Sequence, residues 1–137
     1  MEGSDVDALR RSYEALNEGD IEACLAVLAP DAVWRESPEL PGATEIRGRE
    51  EIRRFLGEFL EPWAEIHQEI EDVRVEGDRI AMLIRLHAVG RESGVEVTTR
   101  YAHLWTFRNG QGVDVDAYRD QEDALAALRS GPEARTP

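Results

Sequence analysis

The sequence is poor in cysteine and in positive charge, and it has no long hydrophobic run. Its one cysteine, Cys24, excludes an internal disulfide, and its cysteine and histidines do not have the spacing of a zinc site. Because 29 Asp and Glu outweigh 16 Lys and Arg, the net charge is -13. This charge repels a phosphate backbone, so we expect no nucleic-acid partner.

The N-terminus has neither the basic nor the apolar region of a signal peptide, and no apolar run approaches about 18 residues. We therefore expect no membrane partner and a cytoplasmic location. Glycine-rich phosphate motifs are also missing, because Gly110 and Gly112 belong to a turn. We accordingly predict neither a cofactor nor a metal.

The length and the hydrophobic content indicate one globular core. A chain of 137 residues with 42% hydrophobic residues has the size and composition of one domain. We expect a single domain over residues 1–137, in which 130–137 form a loose tail.

Three helices and a short strand are predicted in the first half of the chain. Ser4 is a good cap for the first helix, and Gly19 with Asp20 separates it from the second. A strand over 32–36 follows. The third helix begins at about Gly48 and ends before Pro62.

The second half predicts strands over 66–76, 79–89 and 113–118, with a long aromatic strand that starts at Thr99 and closes at the Asn109-Gly110 turn. Asp120 caps a short C-terminal helix. Helices followed by an antiparallel meander predict an α+β fold with the helices on one face of the sheet.

The aromatic strand carries Tyr101, His103, Trp105 and Phe107 on one side. Aromatic rings interleaved with an imidazole either fill a core or line a pocket for an organic ligand. The pattern leaves both alternatives open.

Four segments together resemble the nuclear transport factor 2-like superfamily, and within it the small SnoaL-like proteins. They are YEALNEGD at 13–20, DAVWR at 31–35, IRGRE at 46–50 and AHLWTFRNG at 102–110, and the resemblance covers roughly residues 4–129. It implies a cone-shaped, curved antiparallel sheet, a cystatin-like roll, whose concave face the three N-terminal helices close around an apolar cavity. Members differ in chemistry and include ketosteroid isomerase, limonene epoxide hydrolase, polyketide cyclases and binding modules, so the fold does not decide the function.

The resemblance suggests candidate catalytic residues. The general base of the isomerase type falls on Glu36, a carboxylate whose pKa burial would raise toward neutrality. A Glu at the end of a strand is also typical of solvated surface. The tyrosine of the isomerase falls on Ser12 rather than Tyr13, which argues against a literal ketosteroid isomerase. His103 is a candidate acid or base, or a hydrogen-bonded core histidine.

The pattern of the 79–89 strand does not decide which of its two faces points into the cavity. We place Arg85 and His87 in the pocket, where the isomerase-type alignment puts Arg85, and predict a direct hydrogen bond among Glu36, Arg85 and His103. The predicted pocket lining is Trp34, Leu83, His87, Tyr101, Trp105, Val115 and Ala117. The other side of the strand then exposes a second set, Ile80, Met82, Ile84 and Leu86, and predicts a homodimer through the outer sheet face.

Two functions remain open. In the first, an apolar pocket binds a small apolar or aromatic molecule without catalysis. In the second, a cofactor-independent isomerase, hydratase or cyclase uses Glu36 and His103 as acid and base while Arg85 stabilises negative charge.

Overall fold

The computed structural model describes residues 2–38 and 44–130 and shows an α+β fold. Helices α1, α2 and α3 precede most of the sheet, and α4 follows it. The elements are α1 (Glu2–Asn17), α2 (Ile21–Leu25), β1 (Leu28–Glu36), β2 (Glu45–Arg47), α3 (Arg49–Leu60), β3 (Trp63–Glu76), β4 (Arg79–Gly90), β5 (Glu96–Arg108), β6 (Gln111–Tyr118) and α4 (Gln121–Ser130). The predicted loose tail, apart from Ser130 at the end of α4, lies outside the described residues.

The six strands form one curved, unclosed sheet in the order β2-β1-β6-β5-β4-β3. Strands β3 to β6 form the predicted antiparallel meander, but β1 pairs with β6 in parallel, with Trp34 opposite Val115. The sheet is therefore mixed, which corrects the expectation of a wholly antiparallel one. The reason is that β1 and β6 are not joined by a hairpin turn, so no turn fixes their relative direction.

Polar side chains join the two parallel strands. Arg35 on β1 donates from Nη1 to Asp114 Oδ1 at 2.9 Å and to Asp116 Oδ1 at 3.2 Å, both on β6. These contacts lie on the outer face, opposite the face that carries Trp34, because successive side chains of a strand alternate.

The N-terminal helices are positioned by their ends. Gly19 adopts a positive φ of 81° after α1, and the Asp20 side chain accepts a hydrogen bond from the Ala23 backbone at 3.1 Å, as its N-cap role predicts. Helix α2 ends earlier than its apolar pattern suggests, because Leu28 already belongs to β1. The pattern also missed the short strand β2.

Both faces of β4 are covered, and the face that points inward is the opposite of the one predicted. Ile80, Met82 and Ile84 belong to the inner core, together with residues of α1, α2, α3 and β1. Ala81 and Leu83 belong to a second, outer cluster beneath α4. The prediction that Ile80, Met82, Ile84 and Leu86 face outward is wrong, because the apolar face of α4 packs on the outer side of the sheet.

The rest of the outer face beside α4 is polar. Arg85 pairs with Glu69 at 3.6 Å, and Arg100 pairs with Glu71 at 2.9 Å. The apolar outer face on which the homodimer was argued therefore does not exist among the described residues. None of the helices in the described ranges is long and apolar enough to cross a bilayer.

A close backbone approach fixes one ring of the inner core. A Cβ atom added to Gly112 would lie 2.7 Å from two carbons of the Trp105 ring. We expect Gly112→Ala to displace this ring and to lower the free energy of unfolding by about 1–3 kcal/mol. Gly57→Ala is the matched control, since its added Cβ meets nothing within 4 Å and an alanine inside α3 stabilises by up to about 1 kcal/mol. Equal stability of the two variants in urea unfolding would contradict the packing.

Candidate functional site

A cavity of about 230 Å³ lies between the helices and the inner face of the sheet. Most of its wall is carbon, and aromatic side chains come from both layers. The wall consists of Ser12, Tyr13, Leu16, Cys24, Leu28, Trp34, Glu36, Ser37, Phe55, Leu56, Phe59, Gln68, Leu86, Tyr101, His103, Trp105, Ala117, Tyr118 and Arg119. The arrangement is suited to an apolar ligand with a few fixed polar contacts.

The Tyr13 hydroxyl connects helix α1 to the middle of β5. It lies 2.6 Å from His103 Nδ1 and accepts a hydrogen bond from Trp105 Nε1 at 3.0 Å. If the hydroxyl donates its own proton to His103 Nδ1, the neutral imidazole carries its proton on Nε2. His103 Nε2 has no hydrogen-bond partner among the described residues.

Burial decides the charge of these groups. It lowers the pKa of His103 to about 3 and raises the pKa of Tyr13 well above its ordinary value. Both side chains are therefore neutral near pH 7. A neutral His103 can donate or accept a hydrogen bond, but it does not act as a proton-carrying acid at neutral pH.

Glu36 lies at the end of β1, in the same sheet row as Ala117 and His103. Its Oε2 accepts a hydrogen bond from Trp34 Nε1 at 2.5 Å. Burial raises the pKa of the Glu36 carboxyl, and the hydrogen bond from Trp34 opposes this shift. Among the described residues no cation forms an ion pair with Glu36, so this carboxylate is available to a ligand.

A second polar pair lies where β3 meets the cavity. Gln68 Nε2 donates a hydrogen bond to the Tyr101 hydroxyl. The backbone of Gln68 is held by Asn17, which accepts from Gln68 N at 2.7 Å and donates to Gln68 O at 3.1 Å. Burial raises the pKa of Tyr101, so the phenol is neutral.

The structure brings together most of the predicted site residues. Glu36 and His103 lie in the cavity wall, with four of the predicted lining residues, Trp34, Tyr101, Trp105 and Ala117. Val115 is fully buried in the inner core and is not part of the wall. Tyr13 is a wall residue as well.

Three residues that were predicted to lie in the pocket lie on the outer face of the sheet instead. Leu83 packs in the outer cluster beneath α4. Arg85 is half exposed beside Glu69, and His87 contacts Thr98 Oγ1 at 3.2 Å and Glu96 at 3.6 Å. All three residues belong to the face of β4 that points outward, so Arg85 does not lie in the cavity.

The predicted direct hydrogen bond among Glu36, Arg85 and His103 is also wrong. Glu36 is bonded to Trp34, and His103 is bonded to Tyr13. The Trp34 ring lies close to the His103 ring, at a centroid distance of 4.9 Å. Trp34 therefore contacts both groups, which have no hydrogen bond to each other.

Sequence reasoning missed several wall residues. Phe55 and Phe59, four residues apart on α3, face the cavity and were detectable from helical spacing only as core. Gln68 gave no signal, because a bulge between Ile70 and Asp72 breaks the alternation of β3. Over the described ranges, no group of three or more His, Cys, Asp or Glu side chains is arranged to hold a metal.

The family profile of the SnoaL-like domain matches residues 9–115, which is most of the chain. The chain belongs to the SnoaL-like domain family. This family lies in the nuclear transport factor 2-like superfamily, as the sequence motifs suggested. No functionally curated protein matches the chain in sequence.

Solved structures show the same fold in distant relatives. An NTF2-like protein of unknown function from Burkholderia pseudomallei is 24% identical, with a TM-score of 0.74 over 91% of this chain and 97% of that one. A proposed SnoaL-like polyketide cyclase from Jannaschia sp. is 18% identical, with a TM-score of 0.75 over 95% and 94%. TerC, co-crystallised with polyporic acid, is 21% identical, with a TM-score of 0.74 over 93% and 99%. At these identities the likeness shows the fold of the SnoaL-like domain and not its activity.

The burial of His103 predicts a specific loss of stability in acid. In the unfolded chain, His103 binds a proton below about pH 6.5. In the folded protein it binds a proton only when the pH falls to its pKa of about 3. Stability from this group is therefore complete above about pH 6.5 and falls as the pH drops, by up to about 1.4 kcal/mol per unit. In His103→Gln this contribution is absent. Denaturant unfolding at about pH 7 and about pH 5 should show a smaller decrease for the variant than for wild type, and equal decreases would contradict the buried neutral imidazole.

Proposed function

We propose that this SnoaL-like domain binds a small, mostly apolar, ring-containing molecule in the cavity. The observation that carries the proposal is the wall itself, in which aromatic rings surround a space bordered by a few polar groups. Such a wall supplies apolar contact area and fixes orientation through Glu36, Gln68 and Tyr101. TerC, a protein of the same fold, was crystallised with an organic molecule, which supports this class of ligand.

The volume limits the size of the ligand. An apolar cavity of about 150 Å³ holds benzene. A cavity of about 230 Å³ is large enough for a fused two-ring molecule of the size of naphthalene. Two-ring aromatic compounds are therefore suitable probes.

Covalent catalysis by a side-chain nucleophile has little support. The chain contains no lysine, so no lysine side chain can form an imine with a carbonyl ligand. Cys24 lies in the wall, but burial raises the pKa of its thiol, and Ser12 Oγ contacts its sulfur at 3.4 Å. A thiol that stays protonated is a weak nucleophile.

Proton transfer by Glu36 is the second candidate function. Its carboxyl is half-buried in the cavity wall with a raised pKa, which are the properties of a general base. In this reaction Glu36 takes a proton from a C–H bond of the ligand, and the electron pair moves onto a ligand oxygen. The neutral His103 Nε2–H donates a hydrogen bond to that oxygen. This places His103 as a donor rather than as the acid partner suggested by the sequence, and it leaves Arg85 without a role.

The homodimer and the cytoplasmic location remain predictions. The apolar outer face on which the dimer was argued is not present among the described residues, so the structure adds no support to the dimer. Sedimentation at micromolar concentration tests it, and a single monomeric species would contradict it.

Ligand binding can be tested with 2-methylnaphthalene and calorimetry. We expect saturable binding of one molecule per chain to wild type. Ala117→Leu fills the space between Glu36 and His103 and should weaken binding at least tenfold, a loss of about 1.4 kcal/mol. Arg85→Ala on the outer face is the control and should bind like wild type. Binding that is absent, or equal in all three proteins, would contradict the proposed cavity.

The general-base role can be tested with 5-nitrobenzisoxazole, a two-ring compound whose C3–H is removed by a base as its N–O bond breaks. Wild type should accelerate this elimination, with a rate that rises with pH through the raised pKa of Glu36. Glu36→Gln is nearly isosteric, so it should still bind 2-methylnaphthalene but lose about 100-fold or more in rate. An unchanged rate in this variant would leave the domain as a binding module.

A further inference from the structure

A buried polar atom in the cavity wall has no partner among the described residues. Gln68 is only 5% exposed, and its Oε1 forms no hydrogen bond. Its other amide atom, Nε2, donates to the Tyr101 hydroxyl. Because that hydroxyl accepts from Gln68, its own proton is free to point toward the cavity.

The unpaired atom is not needed for the fold. Asn17 holds β3 through the backbone of Gln68, and it does so for any side chain at this position. An unpaired buried acceptor destabilises a protein, so an apolar side chain of similar length would suit a purely structural role better. Glu36 Oε2 and His103 Nδ1, in contrast, both have protein partners.

We propose that Gln68 and Tyr101 together bind a hydroxyl group of the ligand. The inference rests on the proposed function and specifies its ligand as a hydroxylated ring compound. The ligand hydroxyl donates to Gln68 Oε1 and accepts from the Tyr101 O–H, which closes a ring of three hydrogen bonds with the existing bond between the two side chains. The last torsion of a glutamine is broad, so a small rotation turns Oε1 toward the ligand while Nε2 stays bonded to the Tyr101 hydroxyl.

Three naphthalenes with one variable substituent test this assignment in calorimetry at neutral pH. A hydroxyl in 2-naphthol satisfies both groups, a methoxy in 2-methoxynaphthalene satisfies only Tyr101, and a methyl in 2-methylnaphthalene satisfies neither. The hydroxyl preference is the ratio of the Kd of 2-methylnaphthalene to the Kd of 2-naphthol. Because each ratio is compared between proteins, the different hydration of the probes cancels.

We expect Gln68→Met to lower the hydroxyl preference about tenfold. The methoxy compound should bind wild type with an intermediate affinity. Its Kd should change less than that of 2-naphthol in Gln68→Met. Gln111→Met, at an exposed glutamine on β6, is the matched control and should keep the wild-type preference.

A second measurement does not depend on the probes. The double variant Gln68→Met/Tyr101→Phe removes the hydrogen-bonded pair and the unpaired acceptor together, so its melting temperature should equal or exceed that of wild type. A lower melting temperature would show that the amide is satisfied within the fold and would overturn the inference.

The two proposals fail in different ways. If the naphthalenes bind but Gln68→Met keeps the hydroxyl preference, the hydroxyl site is wrong and the binding cavity stands. If none of the three compounds binds wild type, both proposals are overturned.

Discussion

The hydrogen bonds of the Tyr13 hydroxyl are the interaction on which the site depends. They attach α1 to His103 and Trp105 at the middle of the sheet, in surroundings where an unpaired polar group is costly. The same bonds set the distance between the helix and the strand, and they orient both rings in the cavity wall. A loss of the Tyr13 hydroxyl would therefore affect the shape and the chemistry of the cavity together.

Charge is separated between the two faces of the sheet. The outer face carries ion pairs such as Arg85 with Glu69 and Arg100 with Glu71, which are exposed and contribute little to stability. The inner face carries neutral groups, apart from Glu36 at the strand end and Arg119 in the wall. In a chain with a net charge of -13, this separation keeps most of the negative charge of the sheet away from the apolar cavity.

The sequence predicted the fold and one side of the site, and the reasons are local. Alternation placed Tyr101, His103 and Trp105 on the inner face, because β5 is aromatic on one side only and a one-residue shift would bury its charged side. In β4 the same method failed, since Ala81 and Leu83 are apolar as well and pack under α4. Which face of β4 points inward depends on α4, a helix that the chain adds about forty residues later. The inward position of Gln68 was hidden by a bulge in β3 that no sequence pattern marks. Family resemblance suggested Glu36, which lies in the cavity wall, but it did not indicate which face of β4 points inward.

The parallel pairing of β1 with β6 has a consequence for synthesis. The ribosome produces β1 and its neighbour β2 early, yet β6, on the other side of β1, is completed only after most of the chain has been made. Trp34 therefore has only Ile46 of β2 as a sheet neighbour while the intervening strands form, and long-range pairing of the kind that β6 adds slows folding. Exposed apolar surface at this stage favours aggregation. Truncated chains that end before β6 should thus be prone to aggregate, and the cavity exists only once the last strand has joined the first.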